Sequence, residues 1–204
     1  MIAMRGCPYT CDFCSERSEL AYPNGRSIDN ILEEVELRKQ QGFKAIFFDD
    51  STFGAYRSKQ GNVQDLLQAL SGTRMKFGSL NRFNHLQTSR VIQPYVDAGF
   101  AYLYCAIEQF DDSALRQMSK GQQKVHIERS MGQLNQHGLK VGVSLLHGLP
   151  FETEESSKAT LDYTQRWANN GTIVLVSESV LSYHPGTPMG RGKYLDFNRT
   201  PPNI

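Results

Sequence analysis

The sequence predicts an α/β fold, a parallel sheet of six strands with helices packed on its outer face. Two observations carry that prediction. Short apolar runs alternate with longer amphipathic stretches along most of the 204 residues, the order that parallel strands need for their crossovers. The runs are also rich in Val, Ile, Leu and Phe, as strands are when little of their surface meets water. Right-handed crossovers follow, but periodicity alone does not choose between a doubly wound open sheet and a barrel.

The first strand is the short apolar stretch from Ile2 to Met4. After it and a cysteine-bearing loop, SIDNILEEVELRKQQG sets Ile28, Ile31, Leu32, Val35 and Leu37 largely on one helical stripe, with Ser27 as N-cap and Gly42 as stop. KAIFFDD is the second strand, VQDLLQALSG a helix and MKFGSL the third strand. RVIQPYVDAG reads as a helix that Pro94 weakens or whose first turn it marks. AYLYCAIE is the fourth strand, KVHIERSMGQLNQHG a helix closed by Gly138, and LKVGVSLLHGLP the fifth strand with its turn. TEESSKATLDYTQRWANNG is the last helix and TIVLVSESVLSY the sixth strand.

Composition narrows the function. With 39% hydrophobic residues the chain has enough for one globular core. The 22 basic and 21 acidic side chains leave no overall polycation to attract nucleic acid. No apolar run approaches the roughly 20 residues that span a bilayer, and MIAMRGCPY has no long apolar signal segment. The expectation is a cytoplasmic protein with no membrane partner.

Four cysteines in a reducing compartment are not a disulfide framework. Cys7, Cys11 and Cys14 crowd into eight residues, CPYTCDFC, while Cys105 stands ninety-one positions beyond Cys14. A structural zinc site would need a distant fourth ligand. Iron-sulfur clusters usually take four thiolates, so three in one loop would leave one iron open to a small molecule. Zinc, a redox dithiol and a closed electron-transfer cluster remain alternatives on the residues alone.

The spacing Cys7-x-x-x-Cys11-x-x-Cys14 resembles the motif of the radical S-adenosylmethionine (radical SAM) enzymes. The resemblance implies a 4Fe-4S cluster on these three cysteines, with the amino and carboxylate groups of SAM on the fourth iron. It also implies a partial TIM barrel, (β/α)6, with the cluster loop after the first strand. Phe13 matches the aromatic residue that the family places close to the adenine.

In parallel α/β folds, chemistry gathers at the carboxyl ends of the strands. The second strand ends in Asp49-Asp50-Ser51-Thr52-Phe53, which resembles the Asp-Asp-x-Phe variant of cobalamin-binding and methylthiotransferase-like branches rather than Gly-Gly-Glu. Asp49 and Asp50 are candidate acceptors for the SAM ammonium; solvated loop carboxylates are the alternative. The fourth strand runs into AIEQFDDSALRQMSKG, similar to the family's Gly-x-Glu-Ser stretch and Leu-x-x-Met-x-Lys-Gly helix, with Cys105 near the usual glycine and Gln109 for the serine. Glu108 is a candidate SAM contact, or else a rim carboxylate paired with Arg82. Cys105 reads as a small buried strand residue.

HGLPFETEES resembles the Gly-Leu-Pro-Gly-Glu-Thr turn that brackets the adenine, with Phe151 where glycine is usual. Gly148, Leu149 and Pro150 are its candidates, Thr153 is a helix N-cap, and Ser144 a candidate ribose contact. SYHPGTPMG resembles the Pro-Gly-Thr-Pro segment near the pocket mouth, making His184 a substrate-side candidate.

The similarity runs from about Arg5 to Met189, giving a core of 1–189 and an irregular tail of 190–204. It implies a radical SAM enzyme whose reduced cluster splits SAM into methionine and a 5'-deoxyadenosyl radical that takes hydrogen from an unknown substrate. A flavodoxin- or ferredoxin-like one-electron reductant is implied as partner. A non-catalytic metal-binding module or a degenerate SAM-binding domain is the rival reading. A six-strand partial barrel leaves its lateral side open, so an additional domain or partner chain is expected to cover it. Cobalamin would enter only through a domain that these 204 residues do not contain.

Overall fold

The computed structural model describes residues 1–16 and 23–192. The expected tail from residue 190 onward therefore lies mostly outside the described residues. A parallel five-stranded sheet forms the centre, in the order β3 (Ala45–Phe48), β6 (Lys76–Asn81), β7 (Phe100–Glu108), β8 (Lys140–His147) and β9 (Ile173–Val180). Helices α1 (Ile28–Gln40), α2 (Val63–Ser71), α3 (Ser89–Ala98), α5 (Lys124–Gln136) and α6 (Glu154–Asn169) connect the strands, with a short α4 (Asp112–Gln117) after β7. The result is an open, partial barrel. Two small antiparallel pairs flank it, β1 (Met4–Arg5) with β2 (Asn24–Gly25), and β4 (Arg57–Ser58) with β5 (Gly61–Asn62). Among the described residues, no helix is long and apolar enough to cross a membrane.

The expected first strand joins the sheet only at its start. The Met1 amine donates to Phe47 O and Asp49 N donates to Met1 O, each at 2.8 Å, which is a single step of parallel pairing beside β3. The ladder stops there because a side chain takes over: Asp50 Oδ1 accepts from Ala3 N at 2.8 Å and Met4 N at 2.5 Å. Met4–Arg5 then turns to pair with β2.

Helix starts follow their caps. Ser27 Oγ accepts from Asn30 N, Asn62 and Asp65 form a reciprocal capping box, and Thr153 accepts from Ser156 N. Ile31 and Val35 of α1 are buried, but Leu37 is 47% exposed. At 100° per residue Leu37 stands far around the helix from that pair, so it leaves the expected stripe. Pro94 lies inside α3, beyond its first turn; burial of Ile92, Tyr95 and Ala98 holds the helix despite the lost hydrogen bond.

Register separates the two faces of the sheet. Leu103, Cys105, Ile107, Val141 and Val143 lie buried beneath the helices, along with an aromatic cluster of Phe48, Phe53, Phe77, Tyr95 and Phe100. Leu80, Tyr104, Ala106 and Ser144 face the concave side. A Cβ at Gly142 would crowd the Tyr102 and Tyr104 rings, 2.9 and 2.7 Å away, so a side chain there would force them to shift. Strand β9 closes one edge with apolar side chains left in water: Val174, Leu175, Val176 and Val180 are 55%, 50%, 39% and 74% exposed.

Asp50 is 1% exposed, and burial pushes its carboxyl up to about 6 although Met4 N and Ala3 N oppose the shift. Between the ordinary carboxylate value and 6 the folded chain binds the extra proton, so this group's contribution to stability is full at low pH and is lost as pH rises through 6. The loss is on the order of 3 kcal/mol. Urea denaturation at pH 4.5 and 7.5 should show Asp50→Asn losing this component of the pH dependence; an unchanged difference between the two pH values would sink the assignment.

Candidate active site

The cysteine loop lies across the carboxyl edge of the sheet and is held there by Asp12. Asp12 N donates to Met118 O at 3.0 Å, Ser119 Oγ donates to Asp12 Oδ2 at 2.9 Å, and Met189 N donates to Asp12 O at 3.1 Å. The loop is thus clamped between the end of α4 and the segment after β9. Cys7, Cys11 and Cys14 are free thiols that open into one cavity of about 170 Å³. Its wall is completed by residues that include Tyr9, Phe13, Ser51, Arg82, Glu108 and Lys120.

Glu108 ends β7 with φ of 61°, a left-handed conformation rare for a residue with a side chain, next to an irregular register after Ala106. Its Oε1 accepts from Lys120 Nζ at 2.8 Å and its Oε2 from Ser144 Oγ at 3.4 Å. Both members of the ion pair are buried. The expected alternative partner, Arg82, does something else. It is 6% exposed, donates through Nη1 to Cys11 Sγ at 3.4 Å and through Nη2 to Lys120 O, and lies 3.8 Å above the Tyr9 ring.

Among the described residues, no carboxylate comes within ion-pair distance of Arg82. Glu16 sits at the same cavity but accepts from Ser51 Oγ at 2.5 Å. A buried guanidinium without a carboxylate suits an anionic occupant. The three thiols around one cavity fit an iron-sulfur cluster. A cluster spreads its thiolates over separate irons, which needs sulfurs around a shared cavity, as Cys7, Cys11 and Cys14 are here. Burial raises Cys7 and Cys14 above the ordinary thiol value, so both are protonated when bare and release protons on metal binding.

Behind Tyr9, its hydroxyl pairs with His85 Nε2. Burial, followed by the Arg82 charge, pushes His85 down to about 4, so the neutral ring can accept that proton. Gly54 allows this arrangement, since a Cβ there would lie 2.5 Å from His85 Nδ1.

The sequence-derived candidates do not all meet. Phe13 lines the thiol cavity, with Lys120 Nζ 5.5 Å from its ring centre, and also borders a second cavity of about 400 Å³ with Leu146, Ser179, Val180 and His184. Asp50 is turned under the N-terminal segment, and Asp49 is exposed on a separate groove beside Met1 and Arg5. Ser51, the next residue, is the one that reaches the thiol cavity. Gly148 has φ of 73°, and Glu152 shapes its turn by accepting from Gly148 N at 2.5 Å and Leu149 N at 3.2 Å. Pro150 is exposed beside buried Leu149. Burial works against ionising Glu152, but bonds from Ser157, Gln109 and the turn amides outweigh it and lower its carboxyl. Cys105 is fully buried, and burial raises its thiol strongly.

Arg82, Tyr9 and Lys120 were not singled out by sequence reasoning as site residues. Lys120 stands in the quoted helix motif, and Arg82 directly follows the third strand, where the strand-end rule would have found it.

A model of the radical SAM superfamily matches residues 1–164. An uncharacterized methyltransferase of Pyrococcus horikoshii is 25% identical over 192 residues, covering 92% of this chain and 40% of the relative. The ribosomal protein uS12 methylthiotransferase RimO of Petrotoga mobilis is 23% identical over 182 residues, covering 85% of this chain and 42% of its own. The chain thus spans about two fifths of the length of these relatives. Among solved structures, the radical SAM methyltransferase TsrM from Kitasatospora setae, with cobalamin and a [4Fe-4S] cluster bound, superposes with a TM-score of 0.80 at 19% identity, over 93% of this chain and 38% of that one. The cobalamin-dependent enzyme OxsB superposes at 0.75 with 14% identity, over 94% and 34%.

Replacing Lys120 by Met leaves Glu108 buried without its cation and should destabilise the chain by about 3–5 kcal/mol. Adding Glu108→Gln to that variant should restore a large part of the loss. Urea denaturation of the two single variants and the double variant measures the coupling, and simple additivity would remove the pair from the site's framework.

Proposed function

The chain belongs to the radical SAM superfamily, and from that premise we propose that Cys7, Cys11 and Cys14 hold a 4Fe-4S cluster, with SAM against Glu108 and Ser144. The single observation that carries this reading is the shared cavity: three free thiols facing a buried ion pair and a guanidinium that has no carboxylate partner among the described residues. When bound, the cluster supplies the electron that splits SAM into methionine and a 5'-deoxyadenosyl radical able to take hydrogen from substrate.

The protein's own residues bind and orient. Lys120 Nζ, 2.8 Å from Glu108 Oε1, fixes the direction of that side chain, which suits an acceptor for the SAM ammonium or ribose hydroxyls. Ser144 orients the second oxygen. Phe13 borders both the thiol cavity and the second cavity, where an adenine would lie against Leu146, with the Gly148-Leu149-Pro150 turn behind Val180 of that wall. Asp50 takes no part in our reading, because its Oδ1 is committed to Ala3 and Met4. Asp49 contributes only if SAM extends to the outer groove. The core extends to residue 189, supported by the bond from Met189 N to Asp12 O and the full burial of Met189.

The relatives' names point to methyl or methylthio transfer as the reaction class. Residues beyond these 204 would read the substrate, and His184 would stand on its side of the site. A flavodoxin- or ferredoxin-like protein would deliver the electron in the cytoplasm, where thiols stay reduced.

Anaerobic reconstitution with iron and sulfide should give a brown, oxygen-labile chain carrying about four irons. Alanine at Cys7, Cys11 or Cys14 should abolish the cluster, and Cys105→Ala should spare it. Reduction with SAM should release 5'-deoxyadenosine, detected by chromatography. Iron retained after loss of any of the three loop cysteines, or lost only with Cys105, refutes the ligand set.

A further inference from the structure

Arg82 is bound on every side by something that fixes its direction. Its Nη2 donates to Lys120 O, its Nε to Asn84 Oδ1 at 3.4 Å, and its plane lies 3.8 Å from the Tyr9 ring centre. The remaining arm, Nη1, points at Cys11 Sγ at 3.4 Å. Tyr9 is itself held from behind by His85. Bracing one loop against another would need only the bond to Lys120 O, which a neutral amide could make. A buried guanidinium is a costly choice for that task and an effective one for setting the energy of a neighbouring negative charge.

We infer that Arg82 is a positioning residue that poises the reduction potential of the cluster through Cys11. The inference rests on the cluster reading above. Reduction adds one negative charge to the cluster and its thiolates. A fixed cation that hydrogen-bonds a ligating sulfur stabilises the reduced form more than the oxidised form, because the interaction grows with charge on sulfur and is little screened in a buried site. Wild-type Arg82 therefore makes the cluster easier to reduce. Lysine would keep the charge but lose the fork and the stacking that aim it.

The test uses the 204-residue chain reconstituted with iron and sulfide, poised with dithionite and mediators and followed by EPR without SAM. Arg82→Gln should lower the equilibrium constant for reduction about tenfold, a shift of about 59 mV to more negative potential for a one-electron couple, with iron content unchanged. Arg82→Lys should shift the same way by less. In wild-type protein labelled with 15N in its arginine guanidinium groups, pulsed EPR of the reduced cluster should show coupling to a guanidinium nitrogen, and the coupling should vanish in Arg82→Lys. A purely bracing role predicts reduced loading or stability with an unmoved midpoint in the loaded fraction, and that result overturns the inference. If Arg82→Gln takes up no iron, the labelled wild type decides, and absence of the coupling overturns the inference. A wild-type chain that takes up no iron overturns the cluster reading together with this one, whereas a loaded chain with wild-type midpoints in both variants overturns this one alone.

Discussion

The arrangement of the site turns on one electrostatic constraint, the burial of two cations beside three thiols. Lys120 and Arg82 are 4% and 6% exposed, and among the described residues only Lys120 of the two has a carboxylate at ion-pair distance. Charges removed from water must be compensated by partners or by an occupant of the cavity. The chain meets half of that demand with Glu108 and leaves the other half to an occupant of the thiol cavity. Everything nearby serves to hold this imbalance in place: the Tyr9 ring under Arg82, the Lys120 carbonyl that receives it, and the three Asp12 bonds that keep the cysteine loop over the sheet.

The barrel contributes position. Parallel strands bring their carboxyl ends to one edge, so residues far apart in sequence, such as Ser51, Arg82, Glu108 and Ser144, approach the loop between Cys7 and Cys14. The left-handed Glu108 is the point where backbone strain is tolerated. Conformations of that kind persist where surrounding bonds over-determine them, and here Lys120, Ser144 and the bond from Gln109 N to Ile107 O do so.

What could be read in the sequence was local. Helix caps, amphipathic stripes and the cysteine spacing are encoded within a few residues, so α1, α5, α6 and the main strands stand where their patterns put them. Leu37 departs because one residue in a long helix can match a hydrophobicity count and still miss the buried stripe. Asp50 shows the deeper limit: its partners, Ala3 and Met4, lie more than forty residues away, and nothing in Asp49-Asp50 distinguishes a carboxylate facing a cavity from one that pins a strand. The position of Arg82 at a strand end was legible, but its role was not, since that depends on a ring, a carbonyl and a sulfur from other segments.

Among the described residues nothing pairs with the outer edge of strand β9, which has a consequence for handling the protein. Its Val174, Leu175, Val176 and Val180 stand in water on a sheet edge, and such an edge is a template on which strands from other molecules can add. Concentrating the isolated chain favours that association irrespective of what the cavity holds. Solubility and oxygen sensitivity are therefore separate problems here, the first rooted in one bare edge and the second in the thiol loop, so anaerobic technique alone does not prevent precipitation.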